Sequence, residues 1–202
     1  MNMQPTMLTA PPGLVTIKEW GELEGPPFYE LVDGRLVERP EMATWHDILL
    51  FALTPYLVPY VKRRHLGQMA GSTTPMQIST LTGRKPDLLL IPPDQYHLVG
   101  KNVFHGVPSF VAEILSPTTE HIDRGDKRDE YAQLGIGEYW IIDFPNRAIE
   151  IYQLRDQPDG ARAYELAETM KGDGVFRPSL FPGLEIPLVE VWPTEFENPT
   201  DN

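Results

Sequence analysis

Residues 86–92 read PDLLLIP, four consecutive apolar side chains held between prolines, and such a run leaves few structural options. A strand with one face in water alternates apolar with polar, whereas an unbroken apolar strand is covered on both faces. Residues 109–115, SFVAEIL, read as a second strand of this kind, except that Glu113 sits among the apolar side chains. An ionised carboxylate buried without a partner costs on the order of several kcal/mol. Glu113 is therefore paired, turned outward by the strand's alternation, or bound to metal.

The rest of the chain supplies the cover. TIKEWGEL (16–23) is a short helix, with Thr16 as N-cap and Glu19 completing a capping box. YELVDGRLVER (29–39) places Asp33-Gly34 between two alternating arms, the pattern of a type I′ hairpin. A helix follows over 43–54 and extends toward Arg64, with Pro55 and Pro59 expected to kink or split it. GQMAGS (67–72) and TPMQIS (74–79) read as strands, DRGDKRDEYAQL (123–134) as a polar helix stopped by Gly135, and EYWIIDF with AIEIYQL as an antiparallel pair around PNR. From RAYEL to PGLEIPLVEVW the pattern gives short strands and turns. This order predicts a mixed α/β or α+β domain with helices packed on a central sheet.

The chain has 202 residues, 41% hydrophobic and 23% charged, which suits one domain over 14–193, with flexible Pro-rich segments at 1–13 and 194–202. Cysteine is absent, so disulfide frameworks and thiolate metal sites are excluded. No signal-like segment or membrane-length apolar run is present, and the expected location is the cytoplasm. The net charge of −12 argues against a generic polyanion binder. Basic clusters at VKRRH (61–65), GRK (83–85) and DRGDKR (123–128) soften the objection, although solvated faces are the ordinary reading of such runs.

The chemistry centres on two carboxylates. Asp87 opens one apolar strand and Glu113 lies within the next, so antiparallel neighbours would bring both to one hard cation such as Mg²⁺. Glu113-Ile114-Leu115 resembles the second half of the PD-(D/E)XK nuclease signature, but Leu115 stands where the lysine belongs. Lys127, on the following helix, can reach back, with Asp123 and Tyr131 at i−4 and i+4 forming one stripe. Plainer roles compete. Asp87 reads equally as a turn residue, Glu113 as an ion-pair partner of Arg84, Lys85 or Lys127, Lys127 as a solvated lysine, Asp123 as a cap and Tyr131 as packing. Tyr139 and Trp140 read as core.

The runs ILSPTTEHIDRGDKRDEYAQLGIGEYWIID, FYELVDGRLVE and PDLLLIPPD together resemble the Uma-two family of restriction endonuclease-like proteins, a branch of the PD-(D/E)XK superfamily, over residues 14 to 190. The resemblance implies Asp87 and Glu113 as metal ligands and Lys127 as a migrated catalytic lysine. It further implies Glu30 as an additional acidic member and His46 as the histidine on the helix after the hairpin. It also implies a restriction-endonuclease-like core, with a mixed four- or five-stranded sheet flanked by helices and extra hairpins, Mg²⁺ or Mn²⁺ as cofactor, and DNA as partner. The function expected is a metal-dependent endonuclease, with a homodimer expected for duplex cleavage because one site cuts one strand. Two alternatives stand beside it: a catalytically degenerate DNA- or protein-binding module, and a phosphoesterase acting on small nucleotides.

Overall fold

The computed structural model describes residues 13–24, 28–39 and 44–193. The expected flexible segments, Gly13 apart, and Ala43 at the expected helix start lie outside the described residues. Thr16 caps α1 (Ile17–Gly21): its Oγ1 accepts from the Glu19 N–H at 3.3 Å, and the Glu19 carboxylate accepts from the Thr16 N–H at 2.8 Å. β1 (Tyr29–Val32) and β2 (Arg35–Glu38) form the hairpin, turning on Asp33 (φ 48°) and Gly34 (φ 74°). Positive φ at both central residues is what a type I′ turn requires.

α2 (Thr44–Arg63) runs unbroken through Pro55 and Pro59, so the expected split does not occur. The two prolines are one turn apart on the exposed side, while Leu49, Leu53, Leu57, Tyr60 and Val61 are buried opposite. Packing of that apolar side holds the helix through the missing hydrogen bonds, since tertiary burial rather than propensity supplies most helical stability in proteins.

The strands β3 (Gln68–Gly71), β4 (Met76–Gln77), β5 (Gly83–Arg84), β6 (Leu88–Ile91) and β7 (Phe110–Ile114) follow. Next come α3 (Glu120–Arg124), α4 (Asp126–Leu134), β8 (Glu138–Asp143), β9 (Ala148–Asp156), β10 (Arg162–Lys171), β11 (Val175–Phe176) and β12 (Ile186–Pro187). The central sheet has six strands in the order β10-β9-β8-β7-β6-β3, parallel between β7 and β8 and antiparallel elsewhere. That exceeds the four or five expected, because the segment beginning RAYEL is a long strand paired along β9 rather than a set of short ones. A second sheet, β2-β1-β5-β4, carries the hairpin.

Strand alternation divides the core in two. Leu88, Leu90, Phe110, Ala112, Ile114 and Trp140 face α2 and the C-terminal Phe176, Phe181 and Trp192. Leu89, Ile91, Val111, Leu115, Tyr139 and Ile141 face the other way, with Tyr131 of α4 packed among them. Glu113 shares that second face by period two. The expected helix over 123–134 is two helices meeting at Gly125, where a Cβ would lie 2.8 Å from the His121 carbonyl oxygen. Among the described residues, no helix is long and apolar enough to cross a membrane.

Candidate active site

β6 and β7 pair antiparallel with Leu88 opposite Ala112, and the same register carried one residue further sets Asp87 across from Glu113. Asp87 Oδ2 accepts from the Ile114 N–H at 2.8 Å, which ties the side chain to the neighbouring strand. From the first turn of α2, His46 Nε2 lies 2.8 Å from the same oxygen. A carboxylate accepts, so Nε2 carries the proton. His46 Nδ1 is buried without a hydrogen-bond partner among the described residues. Arg39, one residue past β2, brings Nη2 to 3.7 Å from Asp87 Oδ1.

Glu113 is 2% exposed and receives two groups from α4. Tyr131 donates its hydroxyl to Oε1 at 2.7 Å, and Lys127 Nζ stands 3.1 Å from that oxygen. Lys127 also lies 2.7 Å from Asp123 Oδ1 and 3.9 Å from Glu30 Oε1. The Asp123 contact is short but poorly directed: Oδ1 has no hydrogen bond among the described residues, while Thr119 donates to Oδ2 at 3.0 Å. Asp123, Lys127 and Tyr131 thus converge on one point, as their spacing anticipated, even though a helix break intervenes.

Lys127 is not the solvated lysine its polar helix suggests, being 6% exposed beneath the carboxylates. Arg84 likewise leaves the expected solvated GRK cluster: it is 2% exposed, donating to Glu30 Oε2 at 2.9 Å and to both Glu130 oxygens at 2.7 Å. Glu30 is buried, and its other oxygen accepts from the Lys85 N–H at 3.3 Å. Both of its oxygens are engaged, which places Glu30 as Arg84's counter-ion beside the carboxylate pair.

The two central carboxylates are driven apart electrostatically. Burial raises the Glu113 carboxyl, and Asp87, Asp123 and Glu30 add to this against the pull of Lys127, leaving it at about 8. Burial also opposes ionisation of Asp87, but His46, Lys127 and the Ile114 N–H outweigh it and hold that carboxyl below its usual range. For Lys127, burial is outweighed by Glu113, Glu30, Asp123 and Asp87, which keep it an ammonium. It can therefore donate and orient, and cannot accept a proton in this arrangement.

These residues line a cavity of about 80 Å³, together with Arg39, Ser116 and Thr119. Among the described residues, no three His, Cys, Asp or Glu side chains are arranged to hold a metal ion. A closed protein cage is thus not built here. Asp87 Oδ1 and Glu113 Oε2, however, carry no hydrogen bond from the described residues. Two carboxylate oxygens with room for water match how Mg²⁺ binds, through one or two carboxylates with several waters retained. The donor set fits a hydrated hard cation, and the raised Glu113 carboxyl is what such a cation would relieve.

Sequence reasoning passed over Arg39 and Glu130 and offered Arg84 only as an ion-pair partner of Glu113, whereas it pairs with Glu30 and Glu130. Arg84 neutralises Glu30 and Glu130 together, and the three stand on elements far apart in the chain, so no local spacing announces them. Arg39 had one signal, its position at the end of the hairpin arm facing Glu30.

A mixed sheet carrying paired carboxylates on adjacent central strands, with a lysine beside them, belongs to the restriction-endonuclease-like class of nuclease folds. Within that class the comparisons are specific: the Uma2 model, described as "Putative restriction endonuclease", matches residues 17–189, and the chain belongs to this family. A solved structure from Anabaena variabilis, described as "a putative nuclease belonging to DUF820", superposes with a TM-score of 0.69 at 17% identity, covering 88% of this chain and 97% of that one. At that identity the likeness concerns the fold. No curated protein matches.

Proposed function

We propose that the protein is a divalent-metal-dependent endonuclease that hydrolyses DNA phosphodiester bonds, with Asp87 and Glu113 as its metal ligands. The observation that carries this reading is Lys127 Nζ at 3.1 Å from Glu113, opposite Asp87, which returns a lysine to the site although position 115 is leucine. A bound Mg²⁺ or Mn²⁺ would supply an activated water and countercharge for the phosphoryl oxygens. The chain's own residues prepare that point. His46 and the Ile114 N–H fix Asp87 through Oδ2 and leave Oδ1 available. Tyr131 and Lys127 hold Glu113 through Oε1 and leave Oε2 available. Lys127, as an ammonium, orients the attacking water and counters charge developing on the phosphate.

The test is twofold. Mn²⁺ should raise the thermal midpoint of the wild type, because a ligand bound only by the native state adds RT ln(1 + [L]/Kd), about 2.7 kcal/mol at a hundredfold excess over Kd. Supercoiled plasmid should be nicked only when the metal is present. Asp87→Asn and Glu113→Gln should each abolish both effects; a wild-type Mn²⁺ shift in both variants places the metal elsewhere.

A further inference from the structure

We infer that Arg39 is the residue that grips the substrate phosphate at the rim of the cavity. This rests on the nuclease reading and supplies the binding contact that reading leaves open. The other two cations lining the cavity are committed to carboxylates. Lys127 stands 2.7 and 3.1 Å from Asp123 and Glu113, and Arg84 uses Nε, Nη1 and Nη2 on Glu130 and Glu30. Among the described residues, Arg39 makes one side-chain hydrogen bond, from Nη1 to the Ser72 carbonyl at 2.9 Å. Its Nη2 leans toward Asp87 Oδ1 at 3.7 Å, within electrostatic reach but beyond a hydrogen bond.

Arg39 is also the cation open to solvent, its side chain 18% exposed against 8% for Lys127 and 3% for Arg84. Its backbone N–H donates to the Phe28 carbonyl at 2.8 Å, so the side chain starts from a fixed point beside the hairpin. A phosphodiester entering a cavity whose charged groups are mostly carboxylates meets repulsion. A guanidinium with uncommitted donors offsets it, and its fork matches two phosphate oxygens at once. The same guanidinium faces Asp87 Oδ1, the oxygen left for the cation. Arg39 would therefore compete with a divalent ion held at Asp87, and Arg39 displaced from Asp87 would be free to turn toward the phosphate.

This competition gives Arg39 a signature that a packing role lacks. Binding of a labelled phosphorothioate DNA duplex, which keeps the backbone charge, is read by anisotropy across a salt series at saturating Mn²⁺. The Mn²⁺ concentration that gives half the thermal shift is read without DNA. Arg39→Gln should weaken duplex binding roughly tenfold and reduce the salt slope by about 0.9, one phosphate contact. It should also lower the half-saturating Mn²⁺ concentration by roughly threefold, because a competing positive charge is gone. Arg39→Lys should keep the slope and recover part of the affinity. If Arg39→Gln does not fold, Arg39→Met, which retains the aliphatic stem, gives the same readings. An unchanged slope, or Mn²⁺ and duplex affinity falling together, overturns the assignment. A wild type with neither Mn²⁺ shift nor nicking removes the nuclease reading and Arg39's role with it. A wild type with both, and an Arg39→Gln slope like its own, removes only the latter.

Discussion

Glu113 is the side chain on which the site's energetics turn. In metal-free protein its carboxyl sits at about 8 against 4.5 in an unfolded chain. The folded state thus holds the proton more tightly, and the stability linked to it is complete below about pH 4.5 and lost as pH rises through about 8. Urea unfolding in EDTA should show this falling limb, and Glu113→Gln should flatten it. Lys127→Ala should abolish nicking and also destabilise the metal-free protein by roughly 3–5 kcal/mol at pH 9, above the Glu113 value of about 8, since it strands buried carboxylates without their cation. That penalty should shrink at pH 5, where Glu113 is protonated in either case; equal penalties at the two pH values would show that Lys127 matters for packing alone. Leu115, 4% exposed on the same strand face, behaves differently. Leu115→Ala should lose about 2–5 kcal/mol from core packing while keeping the Mn²⁺ shift. At this scale the sequence exposed the anomaly, Glu113 in an apolar strand, and the lysine missing at 115. It hid the burial of Lys127, because burial follows from where α4 docks, and the polar composition of DRGDKRDEYAQL pointed outward.

The break between α3 and α4 sets how Asp123 meets Lys127 across two helices. Gly125 leaves 2.8 Å between its would-be Cβ and the His121 carbonyl, closer than a side chain tolerates. Gly125→Ala should lower the thermal midpoint and reduce nicking together, because relieving the contact must shift Asp123 or Lys127; unchanged values for both would show that the joint is compliant. Pro55 in α2 is the opposite case, an exposed proline in a helix that persists by packing. Pro55→Ala should raise stability by about 1–3 kcal/mol, observable as a higher urea midpoint. The elements most legible beforehand were those with local signatures: the Thr16–Glu19 capping box, the Asp33-Gly34 turn and the stop at Gly135. Those misjudged depend on partners distant in sequence. β10 needs β9 to become a long strand, and α2 needs the sheet beneath it to carry two prolines.

For the whole molecule, a net charge of −12 makes a field hostile to nucleic acid, and the carboxylates of the site add to it locally. Duplex binding should be weak, fall steeply with added NaCl, and gain more from Mg²⁺ than its ionic strength accounts for. Tight binding indifferent to salt would point to an apolar or protein partner. The architecture, helices on a mixed sheet, was readable from the order of helical and strand-like patterns. The second sheet was not, because β5 spans only Gly83 and Arg84 and leaves almost no pattern. The antiparallel register of β6 and β7 has one more consequence. Asp87 takes its hydrogen bond from Ile114 only when the two strands are correctly aligned, and a slip by one residue would turn Glu113 or Asp87 into the opposite apolar core. A misaligned sheet would therefore strand a charge among apolar side chains, on the face away from Lys127 and Tyr131. The pair proofreads the assembly of its own scaffold, so a molecule that has folded has, by the same event, built its site.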